Sequence, residues 1–219
     1  MEGKRMEKVK ELIISGRMVP VFNHKDPEVG FRVIQACYDA GLRVFEWTNR
    51  GEGAEELFVR MKEHIDRSCS GMVLGAGSVF DGATASRFIE KGASFIVSPV
   101  LEPEMARVCK DLKILWIPGC GTVTEIHQAL KWGAGIVKIF PGDAVGGPSF
   151  VKAVLGPMPW APIMPTGGVS PDHDNLKAWF SAGVCCVGMG SKLFTRELIA
   201  DGPFLTATIR KTLEIIRNL

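Results

Sequence analysis

Ile136-Val137-Lys138-Ile139-Phe140, closed by Pro141-Gly142, is the stretch on which the reading of the fold turns. An apolar run of this length, with Gly133 and Gly135 before it and a proline after it, reads as a buried strand. Lysine is rare in such a run, because burying an unpaired ammonium is costly. Desolvation lowers the lysine pKa, and a lysine that is neutral near pH 7 is a nucleophile toward carbonyls. Two readings follow. Lys138 performs Schiff-base chemistry, or its stem is buried while its head snorkels to the strand end and pairs with an acid.

On either side of this run, short apolar segments alternate with amphipathic, charged ones along the whole chain. The strands read as Met18–Phe22, Val44–Trp47, Met72–Ala76, Phe95–Ser98, Ile114–Pro118, Ile136–Phe140, Ile163–Thr166 and Val184–Gly188. Helical spacing places Val29, Val33, Ile34 and Cys37 on one face, and Leu57, Met61 and Ile65 on another. Further helices are expected near Thr84–Lys91, Glu102–Lys110, Thr122–Trp132, Phe150–Leu155, Pro171–Ser181 and Phe204–Leu219. Thr122 and Glu125 have the spacing of a capping box, and Ser170-Pro171 puts a cap residue before a proline at the first helical position. Gly41, Gly92, Gly133 and Gly183 close helices where strands follow. Units of about 20 to 28 residues are typical of βα repeats. Eight of them predict an α/β fold, a (β/α)8 TIM barrel with an extra N-terminal helix whose Met6, Val9 and Ile13 cover the barrel bottom. An open doubly wound sheet is the alternative, and the absence of Gly-x-Gly-x-x-Gly after the first strand argues against it. With no linker and no shift of composition, residues 1–219 read as a single (β/α)8 barrel domain.

Composition excludes several classes of function. The 219 residues are 46% hydrophobic and 23% charged, with a net charge of +2 and the two signs mixed. Nothing in that balance favours nucleic acid as a partner. No apolar stretch is long enough to span a membrane, and Met1 to Lys10 has no signal-peptide core. The six cysteines form no C-x-x-C pair and the four histidines no H-x-x-x-H pair, so no metal site is expected. The cysteines read as reduced thiols of a cytoplasmic protein.

Barrel active sites lie where strands end and βα loops begin. Strand alternation puts Val44, Glu46 and Thr48 on one face, and Ile136, Lys138 and Phe140 on one face. Parity leaves open which face points inward. A barrel interior can group charges that a helix-facing surface would bury singly, so Glu46 and Lys138 are placed inside. There they form an acid–base couple or a structural ion pair. Arg50, just after its strand, suits a carboxylate bound bidentately, or is a solvated surface charge. Thr166-Gly167-Gly168-Val169-Ser170 and Gly188-Met189-Gly190-Ser191 follow the last two strands, where many barrels bind phosphate on backbone N–H groups. Ser78 offers a hydroxyl in a third glycine-rich loop, Pro99 and Phe140 read as wall residues, and Cys120 reads as a pocket or packing residue.

With these residues assembled, the chain resembles the 2-keto-3-deoxy-6-phosphogluconate (KDPG) aldolases, including the bifunctional 4-hydroxy-2-oxoglutarate (KHG) aldolases. The resemblance runs from about Met18 to Phe194. It is carried in order by Val19-Pro20-Val21, Phe45-Glu46-Trp47-Thr48-Asn49-Arg50, Gly75-Ala76-Gly77-Ser78-Val79, Ser98-Pro99, Ile117-Pro118-Gly119, Val137-Lys138-Ile139-Phe140-Pro141 and Pro165-Thr166-Gly167-Gly168-Val169-Ser170. It implies a class I aldolase on a (β/α)8 barrel, commonly a homotrimer, acting on a small phosphorylated keto acid without metal or cofactor. By the same resemblance Lys138 forms the imine, Glu46 moves protons through water, and Arg50 grips the pyruvyl carboxylate. Ser78 stands in for a usual threonine, and Thr166 contacts substrate. Gly167, Gly168, Gly190 and Ser191 cradle the phosphate. The products would be pyruvate with glyceraldehyde 3-phosphate, or with glyoxylate from KHG. Lys138-Ile139-Phe140-Pro141-Gly142-Asp143 departs from the commonest Lys-Phe-Phe-Pro-Ala-Glu form. With Pro118-Gly119-Cys120 it leans toward the related phosphogalactonate aldolases. Rival readings are a phosphate-binding barrel isomerase or epimerase with a carboxylate base, and a non-catalytic metabolite-binding barrel.

Overall fold

The computed structural model describes residues 2–219. Strands β1 (Met18–Phe22), β2 (Val44–Thr48), β3 (Val73–Gly77), β4 (Phe95–Val97) and β5 (Leu115–Ile117) are followed by β6 (Gly119–Cys120), β7 (Val137–Ile139), β8 (Ile163–Pro165) and β9 (Val187–Met189). Helices α1 (Glu2–Gly16), α2 (Pro27–Asp39), α3 (Ala54–Ser68), α4 (Gly82–Glu90) and α5 (Pro103–Asp111) lie in the first half of the chain. The second half carries α6 (Val123–Lys131), α7 (Gly147–Leu155), α8 (His173–Ser181), α9 (Arg196–Ala200) and α10 (Gly202–Arg217). The fold is α/β, with a curled parallel sheet of six strands in the order β5-β4-β3-β2-β1-β9 and a second parallel ladder, β6-β7-β8.

The eight expected strands are thus nine in two ladders, and those from β4 onward are shorter than expected. The fifth expected strand is split at Pro118, which has no N–H to give to a ladder. Its carbonyl is still used, accepting from the Lys138 N–H at 2.8 Å, so the two ladders meet there. They meet again where Thr166 and Gly188 form an isolated parallel bridge and the Cys185 N–H reaches the Ile163 carbonyl at 3.0 Å.

Local signals explain most element ends. Gly41, Gly92, Gly133 and Gly183 all take the left-handed conformation expected of helix-closing residues. Thr122 caps α6 through the Glu125 N–H, while the Glu125 carboxylate accepts from the Gly121 N–H at 2.9 Å. The expected Ser170-Pro171 cap is corrected: α8 begins two residues later, at His173. Asp172 caps it by accepting from Asp174 and Asn175, and the Ser170 N–H is bound by the Asn175 side chain instead. Apolar side chains sort into two clusters. Phe45, Trp47, Val137, Ile139 and Val187 pack outward against the helices, and Trp179 of α8 is buried among them. Val19, Val44, Phe95, Leu115, Ile136 and Met164 pack inward with Val9 and Ile13 of α1, which covers the bottom as its pattern predicts. The six cysteines are free thiols, and burial pushes Cys109 and Cys120 up to about 12, so both pack rather than react. Among the described residues, no helix is long and apolar enough to cross a membrane.

Candidate active site

The inward cluster settles the parity question. Val44 and Ile136 face the interior, so the residues two further on, Glu46 and Lys138, face it too, one layer higher. The same rule carries Met164 to Thr166 and Cys186 to Gly188. Glu46 is 0% and Lys138 5% exposed, and Lys138 Nζ lies 4.0 Å from Glu46 Oε1. That is too long for a hydrogen bond. Both Glu46 oxygens and the Thr166 hydroxyl, buried as they are, have no hydrogen-bond partner among the described residues. Buried polar atoms are otherwise paired almost without exception, so a layer holding three orphans points to water or a ligand.

Burial sets the protonation of the pair. Loss of solvation pushes the Lys138 pKa below its ordinary value, with the Arg50 cation adding to the shift and Glu46 opposing it. Loss of solvation raises the Glu46 pKa, and the Lys138 and Arg50 cations oppose that. Both groups are pushed toward the uncharged form, and each is the other's nearest opposite charge at 4.0 Å. Two missing side chains make the room. A Cβ on Gly77 would fall on Glu46 Oε1, and one on Gly188 would fall on Thr166 Oγ1.

Above this layer lies a cavity of about 530 Å³. Arg50, Phe140, Thr166, Gly167, Gly168, Gly190 and Ser191 border it, whereas Ser78, Glu46 and Lys138 do not. Cavities of about 690 Å³ lie elsewhere, between α2 and α10 and beside the loops after β1 and β2. The smaller one is singled out because Thr166, whose hydroxyl has no partner, borders it. At one end the Arg50 Nε–H donates to Ser78 Oγ at 3.0 Å. Ser78 is buried and left-handed, with φ of 56°, a strained conformation for a residue with a side chain and one that clusters at functional sites. At the other end Gly167 and Gly168, both left-handed, form the turn before α8, and Asn175 Nδ2 donates to the Gly168 carbonyl at 2.9 Å and holds that turn. Phe140 stands between, its ring centroid 5.0 Å from Lys138 Nζ. Pro99, two residues past the end of β4, is half-buried behind Gly119 and does not line the cavity.

The model of the family "Aldolase: KDPG and KHG aldolase" matches residues 9–208. The chain belongs to this family. It is therefore an aldolase, a carbon–carbon lyase. It is 30% identical over 202 residues to a 2-dehydro-3-deoxy-phosphogluconate aldolase of Treponema pallidum, covering 91% of this chain and 93% of the relative. It is 29% identical over 211 residues to the KHG/KDPG aldolase of Escherichia coli K12, covering 94% of each. Among solved structures, the Zymomonas mobilis KDPG aldolase with 3-phosphoglycerate superposes with a TM-score of 0.83 at 26% identity, covering 94% of this chain and 95% of that one. The Legionella pneumophila KDPG aldolase, with pyruvate captured as a covalent carbinolamine intermediate, also gives 0.83 at 26% identity, over 92% and 96%. A structure described as native KDPGal gives 0.81 at 26%, over 92% and 94%.

Several residues around this layer and cavity escape a reading of the sequence. Gly77 and Gly188 are needed only because of what stands across a strand from them. Asp143 and Lys192 border the cavity next to the glycine turns, and Asn23 borders it beside Arg50. Asn23 had an available signal, since alternation from Val19 puts Val21 and Asn23 on the inward face.

Proposed function

We propose that this aldolase cleaves 2-keto-3-deoxy-6-phosphogluconate to pyruvate and glyceraldehyde 3-phosphate through an imine on Lys138, and KHG to pyruvate and glyoxylate by the same route. One observation carries the reading. Lys138 is buried with its pKa pushed down, 4.0 Å from an unpartnered carboxylate, beneath a cavity that ends in two glycine turns. Its free amine adds to the C2 ketone, and loss of water gives the protonated imine, an electron sink. As the C3–C4 bond breaks, Glu46 accepts the C4 hydroxyl proton through water, leaving the enamine of pyruvate and the free aldehyde. Proton return to C3 and hydrolysis release pyruvate and restore the lysine. Arg50 and Ser78 hold the pyruvyl carboxylate, Thr166 contacts substrate, and Phe140 walls the site. Gly167, Gly168, Gly190 and Ser191 take the phosphate, with Lys192 on the same rim. This chemistry needs no metal or cofactor.

In this reading the two ladders are parts of one closed (β/α)8 barrel forming a single domain, supported by the joins at Pro118–Lys138 and Thr166–Gly188. The homotrimer is what the family resemblance implies, and exposed Trp160 (72%) and Phe80 (59%) offer apolar surface for a subunit interface. The C4 epimer, the phosphogalactonate substrate, is the second reading, favoured by the KDPGal structural neighbour and by Gly142-Asp143 in place of Ala-Glu. Pyruvate release from KDPG, its C4 epimer and KHG, followed by coupled oxidation of NADH, tests both. Fastest turnover of KDPG supports the first reading, preference for the epimer the second, and no pyruvate from any of them contradicts both.

A further inference from the structure

We propose that Asn23 is the positioning residue for the carboxylate end of the site, bracing the Arg50 loop so that the guanidinium meets the keto acid already oriented. The inference rests on the role proposed above for Arg50. Asn23 follows β1 on the inward face, and its carboxamide is engaged at both ends. Its Oδ1 accepts from Thr48 Oγ1 at 2.9 Å, and its Nδ2 donates to the Arg50 backbone carbonyl at 3.2 Å. Thr48 is the last residue of β2 and 3% exposed, so this bond is shielded from water.

The chain leaves the sheet between Thr48 and Arg50. The Asn49 N–H donates to the Gly77 carbonyl at 2.7 Å, and the Arg50 N–H to the Thr48 carbonyl at 2.9 Å. These bonds tie the departure to β3 and to β2. Asn23 adds the tie to β1, and it fixes the carbonyl of the residue that must bind. The Arg50 side chain then crosses to Ser78 on the far side. Arg50 is exposed, and long side chains in solvent sample many rotamers, so an anchored backbone is what lets one orientation prevail before substrate arrives. Asparagine suits the post because it offers a donor and an acceptor from one planar group, whereas an aspartate offers only acceptors. With both ends engaged by Thr48 and Arg50, Asn23 acts through Arg50.

The test compares pyruvate with pyruvamide, which keeps the ketone and lacks the carboxylate, in borohydride trapping, together with steady-state kinetics on the cleavable keto acid. Asn23→Ala removes both bonds, and Asn23→Asp keeps the bond from Thr48 while losing the one to Arg50. Both variants are expected to raise KM about tenfold with kcat within about twofold, as the loss of one or two hydrogen bonds from an anion clamp would. Both should also shrink the pyruvate preference toward that of Arg50→Met. Thr48→Val, an isosteric change that removes one end of the brace, should move both readouts in the same direction by about threefold. If Arg50→Met loses the pyruvate preference while the Asn23 and Thr48 variants keep it, the brace is overturned and the Arg50 role stands. If Arg50→Met itself keeps the preference, both fall together.

Discussion

The interior of the sheet has two storeys built from the same strands. Below, Val44, Ile136 and Met164 pack with Val9 and Ile13 into an apolar plug from which water is excluded. Two residues further along those strands stand Glu46, Lys138 and Thr166, equally buried but with three polar atoms unpartnered. Burial in the lower storey stabilises the fold, by about 1.5–3 kcal/mol for each large aliphatic side chain. In the upper storey burial works against the charged groups and pushes their pKa values together. A step of one strand repeat separates the residues that hold the molecule together from those to which the proposed mechanism assigns the chemistry.

Substitutions can break this contrast. The largest effect is expected from Lys138→Ala, which should reduce pyruvate release to background in a protein that still folds, as judged by circular dichroism. Glu46→Gln should lower kcat by about 10² to 10⁴-fold, the usual worth of a positioned acid–base group, while imine formation with pyruvate persists. Equal rates for variant and parent would remove Glu46 from the mechanism. The lower storey should answer in the opposite way. Ile136→Ala should cost about 2–5 kcal/mol in urea unfolding while the folded fraction keeps its kcat. A kcat loss larger than the unfolded fraction explains would show that the storeys are not separable.

The contrast sharpens in the double variant Glu46→Gln/Lys138→Met. Replacing both buried ionisable groups with neutral side chains of similar size should stabilise the protein by about 1–4 kcal/mol while abolishing activity. The pH dependence of that gain follows from the direction of each shift. Lys138 has a lowered pKa, so its share is full at low pH and fades as the pH rises toward lysine's ordinary 10.5, above which the amine is neutral folded or unfolded. Glu46 has a raised pKa, so its share is full at high pH and fades as the pH falls toward the ordinary 4.5. A double variant less stable than the parent at neutral pH would mean that the couple is a stabilising ion pair.

Much of this architecture is legible in the sequence because it depends on local rules. A lysine in an apolar run, a glutamate in step with a buried valine, and glycines closing helices are signals carried by neighbours in the chain. Strand parity left open which face of β2 and β7 points inward, and the grouping of two charges chose it, while the family resemblance supplied the expected role of each residue. What escaped the sequence depends on partners far apart in it. Gly77 has to be small because Glu46 occupies its space, and Gly188 because Thr166 does. Asn23 matters through Thr48 and Arg50, more than 20 residues away. Strand ends were also illegible, since Val184-Cys185-Cys186-Val187-Gly188-Met189 is apolar throughout, and only pairing with β1 confines β9 to Val187–Met189. The short helix α9 carries no buried face, and so no periodicity by which to find it.

The central claim is that burial makes Lys138 a nucleophile. The protein should be incubated with pyruvate and borohydride at neutral pH, digested, and its peptides weighed. The account predicts a reduced pyruvyl adduct on the peptide carrying Lys138, absent from Lys138→Ala. No adduct there, in folded protein, would mean that the amine is held as an ammonium, and the imine mechanism would be contradicted.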